Sequence, residues 1–118
     1  MNPTSLSKFL GFFSLALGAG EILFGRRIAD ATGVRSPALV RTFGARELAS
    51  GAAILARPSD PTGALSRVGG DLLDLAAVGR PALRRGDPAR SGALVALGIV
   101  AGAILIDSYA AARLAAAR

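Results

Sequence analysis

Residues 91–106 read SGALVALGIVAGAILI, a run without one charged side chain. The run lies inside a helix-compatible stretch predicted over about 88–115. At ~1.5 Å rise per residue that stretch is long enough to cross a hydrocarbon core of roughly 30 Å. At the other end of the chain, Phe9 to Gly25 is nearly as apolar and carries a single charge, Glu21. Two poorer stretches lie between them. One holds Arg41, Arg46 and Glu47, the other Arg67, Asp71 and Asp74.

All four stretches begin alike. A short capping residue is followed directly by proline at Asn2-Pro3, Ser36-Pro37, Asp60-Pro61 and Asp87-Pro88. An Asn, Ser or Asp side chain at an N-cap accepts from an orphan backbone N–H, and Pro suits the first helical position because its missing N–H would have had no partner. Stop signals follow at Gly25 before Arg26-Arg27, at Ala56 before Arg57-Pro58, and at Gly79 before Arg80-Pro81. The spacing predicts helices over about 3–25, 37–56, 61–79 and 88–115, with a short surface turn around Ile28 and Ala29. The fold class expected is therefore all-α: a single membrane domain, residues 1–118, built as an antiparallel up-down bundle of four transmembrane helices.

Composition agrees and narrows the chemistry. The 118 residues are 52% hydrophobic with 15 Gly and only 5% aromatic, and mean hydropathy is +0.48. Without Cys or His there is no disulfide, no thiolate, no imidazole base and no Cys- or His-ligated metal. Neither a phosphate-loop nor a dinucleotide signature occurs, and no Ser has a His partner for a triad. No catalytic residue, metal or cofactor is expected, and the chain is not read as an enzyme. The net charge of +6 comes almost wholly from Arg. It lacks interleaved stacking aromatics, so nucleic acid is not an expected partner.

Two rival readings exist. A soluble Ala-rich bundle shares the periodicity, and residues 1–20 share features with a secretory signal. Against the signal, the apolar run continues through Ile22, Leu23 and Phe24 and ends at a double Arg. Basic residues sort unevenly between the two sides. Arg26, Arg27, Arg35, Arg41, Arg80, Arg84, Arg85 and Arg90 fall on one, and Lys8, Arg57, Arg67, Arg113 and Arg118 on the other. The bias predicts both termini outside the cytoplasm.

Every predicted helix carries an acid: Glu21, Glu47, Asp71 with Asp74, and Asp107. Ionisable groups within spans normally face the bundle interior and pair. Arg67, Asp71 and Asp74 stand at i, i+4 and i+7 and form one stripe, opposite Leu65, Val68, Leu72 and Leu75. Depth along antiparallel neighbours predicts that Glu21 meets Arg41 or Arg46, that Arg67 lies level with Asp107, and that Glu47 and Asp71 lie near mid-depth. The candidate polar cluster is thus Glu21, Arg41, Arg46, Glu47, Arg67, Asp71, Asp74 and Asp107. It reads either as a set of structural ion pairs or as a proton-linked or cation-binding site. Small residues at Ser14 and Gly18, and at Gly98 and Gly102, predict close helix packing, within one chain or between copies. Gly18-Ala19-Gly20-Glu21-Ile22 is echoed by Gly44-Ala45-Arg46-Glu47-Leu48 and more loosely by Gly69-Gly70-Asp71-Leu72.

Three segments carry a resemblance. They are Thr42-Phe43-Gly44-Ala45-Arg46-Glu47-Leu48-Ala49-Ser50-Gly51, then Ile54-Leu55-Ala56-Arg57-Pro58, then Arg67-Val68-Gly69-Gly70-Asp71-Leu72-Leu73-Asp74-Leu75. They resemble an uncharacterised bacterial membrane protein family, whose four-helix region occurs alone or N-terminal to polyketide-cyclase (START-like) lipid-binding domains. The resemblance implies four membrane helices in a bacterial inner membrane and no known activity. The lipid-binding domain of the fused relatives has no counterpart in these residues. The function expected is that of a non-enzymatic scaffold or accessory protein, with the lipid bilayer as its surroundings and a second copy or another membrane protein as its partner. The alternatives are a small proton-linked transporter or channel using Glu47, Asp71 and Asp74, and, from the resemblance, the membrane component of a lipid- or quinone-handling system.

Overall fold

The computed structural model describes residues 2–34 and 36–118, and all regular structure among them is helical. Arg35, counted above on the more basic side, lies outside the described residues. Five helices follow in order: α1 Pro3–Leu23, α2 Gly25–Thr32, α3 Pro37–Ala56, α4 Pro61–Leu83 and α5 Arg90–Ala116.

Three helix starts use the cap-proline pair as anticipated. Asn2 Oδ1 accepts from the Ser5 N–H at 2.7 Å, Ser36 Oγ from Leu39 at 3.3 Å, and Asp60 Oδ1 from Thr62 at 2.9 Å. The fourth pair works differently. Asp87 Oδ1 accepts from the Ala89 N–H at 2.8 Å and closes a turn over Pro88, so α5 begins at Arg90 rather than at residue 88.

Two further boundaries differ from the sequence reading. The chain kinks at Phe24 (φ −116°, ψ 26°) and continues as α2, where a surface turn was expected. The kink lays Ile28 and Ala29 on the bundle and leaves Arg26, Arg27 and Asp30 exposed. Gly33 ends α2 in the left-handed region (φ 75°). The other boundary is the end of α4, which runs through Pro81 to Leu83 instead of stopping at Gly79. In the last turn a proline removes one hydrogen bond only. Burial of Pro81 and Ala82 offsets that loss.

The four long helices run up, down, up and down. In α1 and α3, Gly11 lies against Gly51 and Gly18 against Gly44. A Cβ on Gly18 would stand 2.6 Å from the Gly44 carbonyl oxygen, so glycine alone lets the backbones approach this closely. α4 and α5 form the second intimate pair, and α3 joins the two pairs through α4. The resulting rod measures 48 × 24 × 19 Å. Its length is comparable with the thickness of a bilayer with headgroups, about 40–45 Å.

Apolar clusters occupy both ends of the interior. Leu10, Ala64, Ala110, Ala111 and Leu114 pack near the chain termini, and Ala29, Val34, Val40 and Val78 pack beneath α2. The level between them is polar. α1 and α5 are long and apolar enough to cross a membrane, with mean hydropathies of 1.4 and 2.0 over their best windows. α3 and α4 fall short of that mark because each carries charges. Large apolar side chains instead crowd the outer surface: Phe12, Leu23, Val95, Ile99 and Leu105 are each more than 60% exposed.

Candidate functional site

The polar level is built on α4. Positions 67, 71 and 74 follow one stripe of the helix, and that stripe faces inward: Arg67 is 1% and Asp71 3% exposed, with Asp74 half-buried. Leu65 and Leu72, on the opposite stripe, are exposed. Arg67 is the hub. Its Nη1 donates to Glu47 Oε2 of α3 at 2.6 Å, and its Nε donates to Asp107 Oδ1 of α5 at 3.0 Å. The Phe13 ring of α1 lies 5.7 Å from the guanidinium carbon. The Ser14 hydroxyl of α1 stands 2.7 Å from Glu47 Oε2 and 2.6 Å from the Glu47 carbonyl oxygen, so its single hydrogen is shared between them. One buried guanidinium and its partners thereby connect all four long helices.

A second guanidinium extends the network toward α2. Arg46 Nη2 donates to Asp74 Oδ1 at 3.1 Å and stands 3.5 Å from Glu47 Oε1. A Cβ at position 70 would overlap the Arg46 guanidinium, so Gly70 is what admits this side chain between α3 and α4. Phe43 flanks Arg46, 5.6 Å from ring centre to guanidinium carbon. Near the Arg67 level, Ser50 and Ser66 hydroxyls pair at 3.0 Å.

Six of the eight predicted cluster members come together: Arg46, Glu47, Arg67, Asp71, Asp74 and Asp107. The expected depth match of Arg67 with Asp107 is a direct ion pair. Glu21 and Arg41 depart from expectation. Arg41 is exposed, and its Nε donates to the Ile22 carbonyl oxygen at 3.4 Å, near the end of α1, where the helix dipole favours a cation. Arg46 turns to α4 instead of α1. Glu21 therefore pairs with neither arginine, and its Oε1 has no hydrogen-bond partner among the described residues. Arg67 is not a flanking charge, as the loop tally assumed, but the centre of the interior.

Of the packing residues, Ser14 and Gly18 are buried against α3. Gly98 and Gly102 pack against nothing among the described residues. A Cβ at either would meet no atom within 4 Å, because α5 meets α4 through Ala93, Asp107, Ala110 and Leu114. Sequence reasoning did not single out Gly70, Phe13 or Phe43. The Gly69-Gly70 pair next to Asp71 was the available signal for the first. Nothing in the spacing marks the two rings.

The chain matches no family model, no curated protein and no solved structure.

The arrangement is unbalanced in charge. Five carboxyl groups (Glu21, Glu47, Asp71, Asp74, Asp107) share the interior with two guanidiniums. Among the described residues, Glu47 Oε1, Asp71 Oδ2 and Asp107 Oδ2 are buried without a hydrogen-bond partner, like Glu21 Oε1. Fully ionised, the group would carry a formal excess of three negative charges, which a low-dielectric interior does not sustain without bound protons or another cation. Glu47, Asp71 and Asp74 each bring an oxygen within 4.8 Å of the others. Two of these three already hold an arginine, so an added metal ion would have to compete with a fixed cation at both.

Proposed function

We propose that the chain is a non-enzymatic integral membrane protein, whose four long helices all span the bilayer and are held in register by the Glu47–Arg67–Asp107 bridge. The observation that carries this reading is the inverted distribution of polarity. Arg67, Glu47, Asp71 and Asp107 are buried while a girdle of Phe, Leu, Ile and Val faces outward. In water such a surface would be a large unsatisfied apolar patch, and burying those charges would have no return. In lipid both features are favourable. α3 and α4 are too charged to cross alone, and the bridge gives Glu47 and Arg67 partners on neighbouring helices. The role that fits is that of a scaffold or accessory protein in a bacterial inner membrane, working with a second copy or another membrane protein.

The orientation proposed puts both termini outside the cytoplasm. Arg26, Arg27, Arg41, Arg80, Arg84, Arg85 and Arg90 gather at the α2 end, against Lys8, Arg57, Arg113 and Arg118 at the other. The test is extraction. Membranes from cells expressing the chain are washed in alkaline carbonate and then in detergent. Release by detergent alone is expected, and release by carbonate would end the membrane reading.

A second reading, a small proton-linked transporter, is favoured by one observation: five carboxyl groups against two guanidiniums. It expects Asp71→Asn to leave an intact bundle that has lost proton uptake in proteoliposomes. Unchanged uptake after neutralising Glu47, Asp71 and Asp74 together would exclude it.

A further inference from the structure

Of the seams between long helices, the one between α1 and α5 is open. The two helices meet where Leu6 and Leu10 reach the Ala110 and Leu114 cluster near the termini. Beyond that level the seam widens into two cavities. The first, about 300 Å³, has Phe9 and Phe13 of α1 facing Gly98 and Gly102 of α5, with Arg67 and Asp107 on its wall. The second, about 230 Å³, lies beneath Ile28 and Thr32 of α2. Its wall includes Glu21, Asp74, Phe43 and Val100, and Leu17 and Ile99 form an exposed rim. It therefore opens sideways, through the apolar girdle.

We propose that the cavity beneath α2 binds the head of a lipophilic organic monocation between the carboxylates of Glu21 and Asp74, with the ligand's apolar remainder passing out between α1 and α5 into the bilayer. The proposal rests on the membrane placement argued above.

Charge complementarity commits the occupant. Glu21 Oε1 has no hydrogen-bond partner among the described residues, and Asp74 gives only Oδ1 to Arg46. Behind Asp74, within 4.8 Å of it, stand oxygens of Glu47 and Asp71, two residues almost fully buried, each with an oxygen that lacks a partner. A positive charge placed there meets an excess of acid in a medium of low dielectric. Two features select an organic cation over a metal ion. Most of the wall is hydrocarbon, which returns nothing for a stripped hydration shell. The Phe43 ring, which already carries the Arg46 guanidinium over one face, forms part of the wall. The lateral opening suits a molecule that arrives dissolved in lipid. The first cavity is the poorer host, because Arg67 lines it. At 230 Å³ the second is below the usual range of about 300–1,000 Å³ for drug-sized ligands, so it suits a head group rather than a whole amphiphile.

The experiment uses the full chain in lipid nanodiscs, titrated calorimetrically with benzyltrimethylammonium. Neopentylbenzene, its uncharged isostere, serves as competitor, and sodium and calcium chloride are titrated in parallel. Saturable binding of the cation is expected, weakened about tenfold or more by Glu21→Gln and by Asp74→Asn. Val100→Phe, which fills the cavity without touching a charge, is expected to weaken it likewise, and this variant keeps the test decisive if an acid variant fails to fold. Lys8→Gln, at the opposite end, leaves binding unchanged. Absence of saturable heat, equal affinity in all variants, equal competition by neopentylbenzene, or calcium binding without organic-cation binding would each overturn the proposal. Carbonate extraction is scored first. A chain that washes off refutes the membrane placement, whereas a membrane-bound chain that ignores the cation refutes this inference alone.

Discussion

Arg67 shows what one residue can decide. It is 1% exposed and donates to carboxylates on two other helices. Arg67→Met is expected to destabilise the bundle by roughly 3–5 kcal/mol, because Glu47 and Asp107 then lose their common cation. The triple change Glu47→Gln, Arg67→Met, Asp107→Asn is expected to recover most of that loss in thermal melts in detergent. A triple variant no more stable than the single one would show that the bridge matters through shape and not through charge. Outside the helices, at the N-cap of α4, Asp60 offers a titration. Its carboxylate is held below the ordinary value of 3.8, chiefly by the Thr62 backbone N–H and then by the Thr62 side chain. A depressed value in the folded chain means that the contribution is complete above 3.8 and fades as pH falls through the lowered value. The melting difference between the wild-type chain and Asp60→Ala should therefore be constant near neutrality and shrink in strong acid. Six of the eight predicted cluster members lie together, because a charge in an apolar run favours a partner, whereas Arg41 is exposed and Glu21 meets neither arginine. The partners were less legible in the sequence. Arg46 turning from α1 to α4 depends on a gap at Gly70 that spacing does not display.

At the scale of elements, the cap-proline pairs set three helix starts, and the fourth slipped because Asp87 closed a turn of its own. α2 escaped the sequence reading for a related reason. Eight residues are too few to show a clear period, and Gly25 reads in sequence as a stop, whereas the Phe24 N–H still donates to the Gly20 carbonyl oxygen and the chain turns at once into α2. The small-residue motifs looked equivalent in sequence, yet they separate in space. Gly18→Leu is expected to force α1 from α3 and cost about 1–3 kcal/mol or more, while Gly98→Leu should stay within about 0.5 kcal/mol, since nothing stands near it. Paired melting curves in one detergent check both. A large loss from Gly98→Leu alone would mean that a second molecule covers that face.

For the whole molecule, the absence of cysteine makes topology directly measurable. Ala117→Cys should react with a membrane-impermeant maleimide on intact cells, and Arg85→Cys only after permeabilisation; the reverse pattern would invert the proposed orientation. The helical class and the four long helices could be read from the apolar runs and their caps, whereas the open α1–α5 seam could not, because it results from how two tight pairs lean together. The α4–α5 bridge has a further consequence for biogenesis. On the proposed membrane placement, α4 emerging from the ribosome finds Arg46 and Glu47 of α3 already made, but Arg67 gains its second carboxylate only when Asp107 is available to meet it. Insertion should then occur as a hairpin. Force on the nascent polypeptide, read with an arrest peptide placed at successive lengths, should peak after α5 has been synthesised, and Asp107→Leu should abolish the late peak.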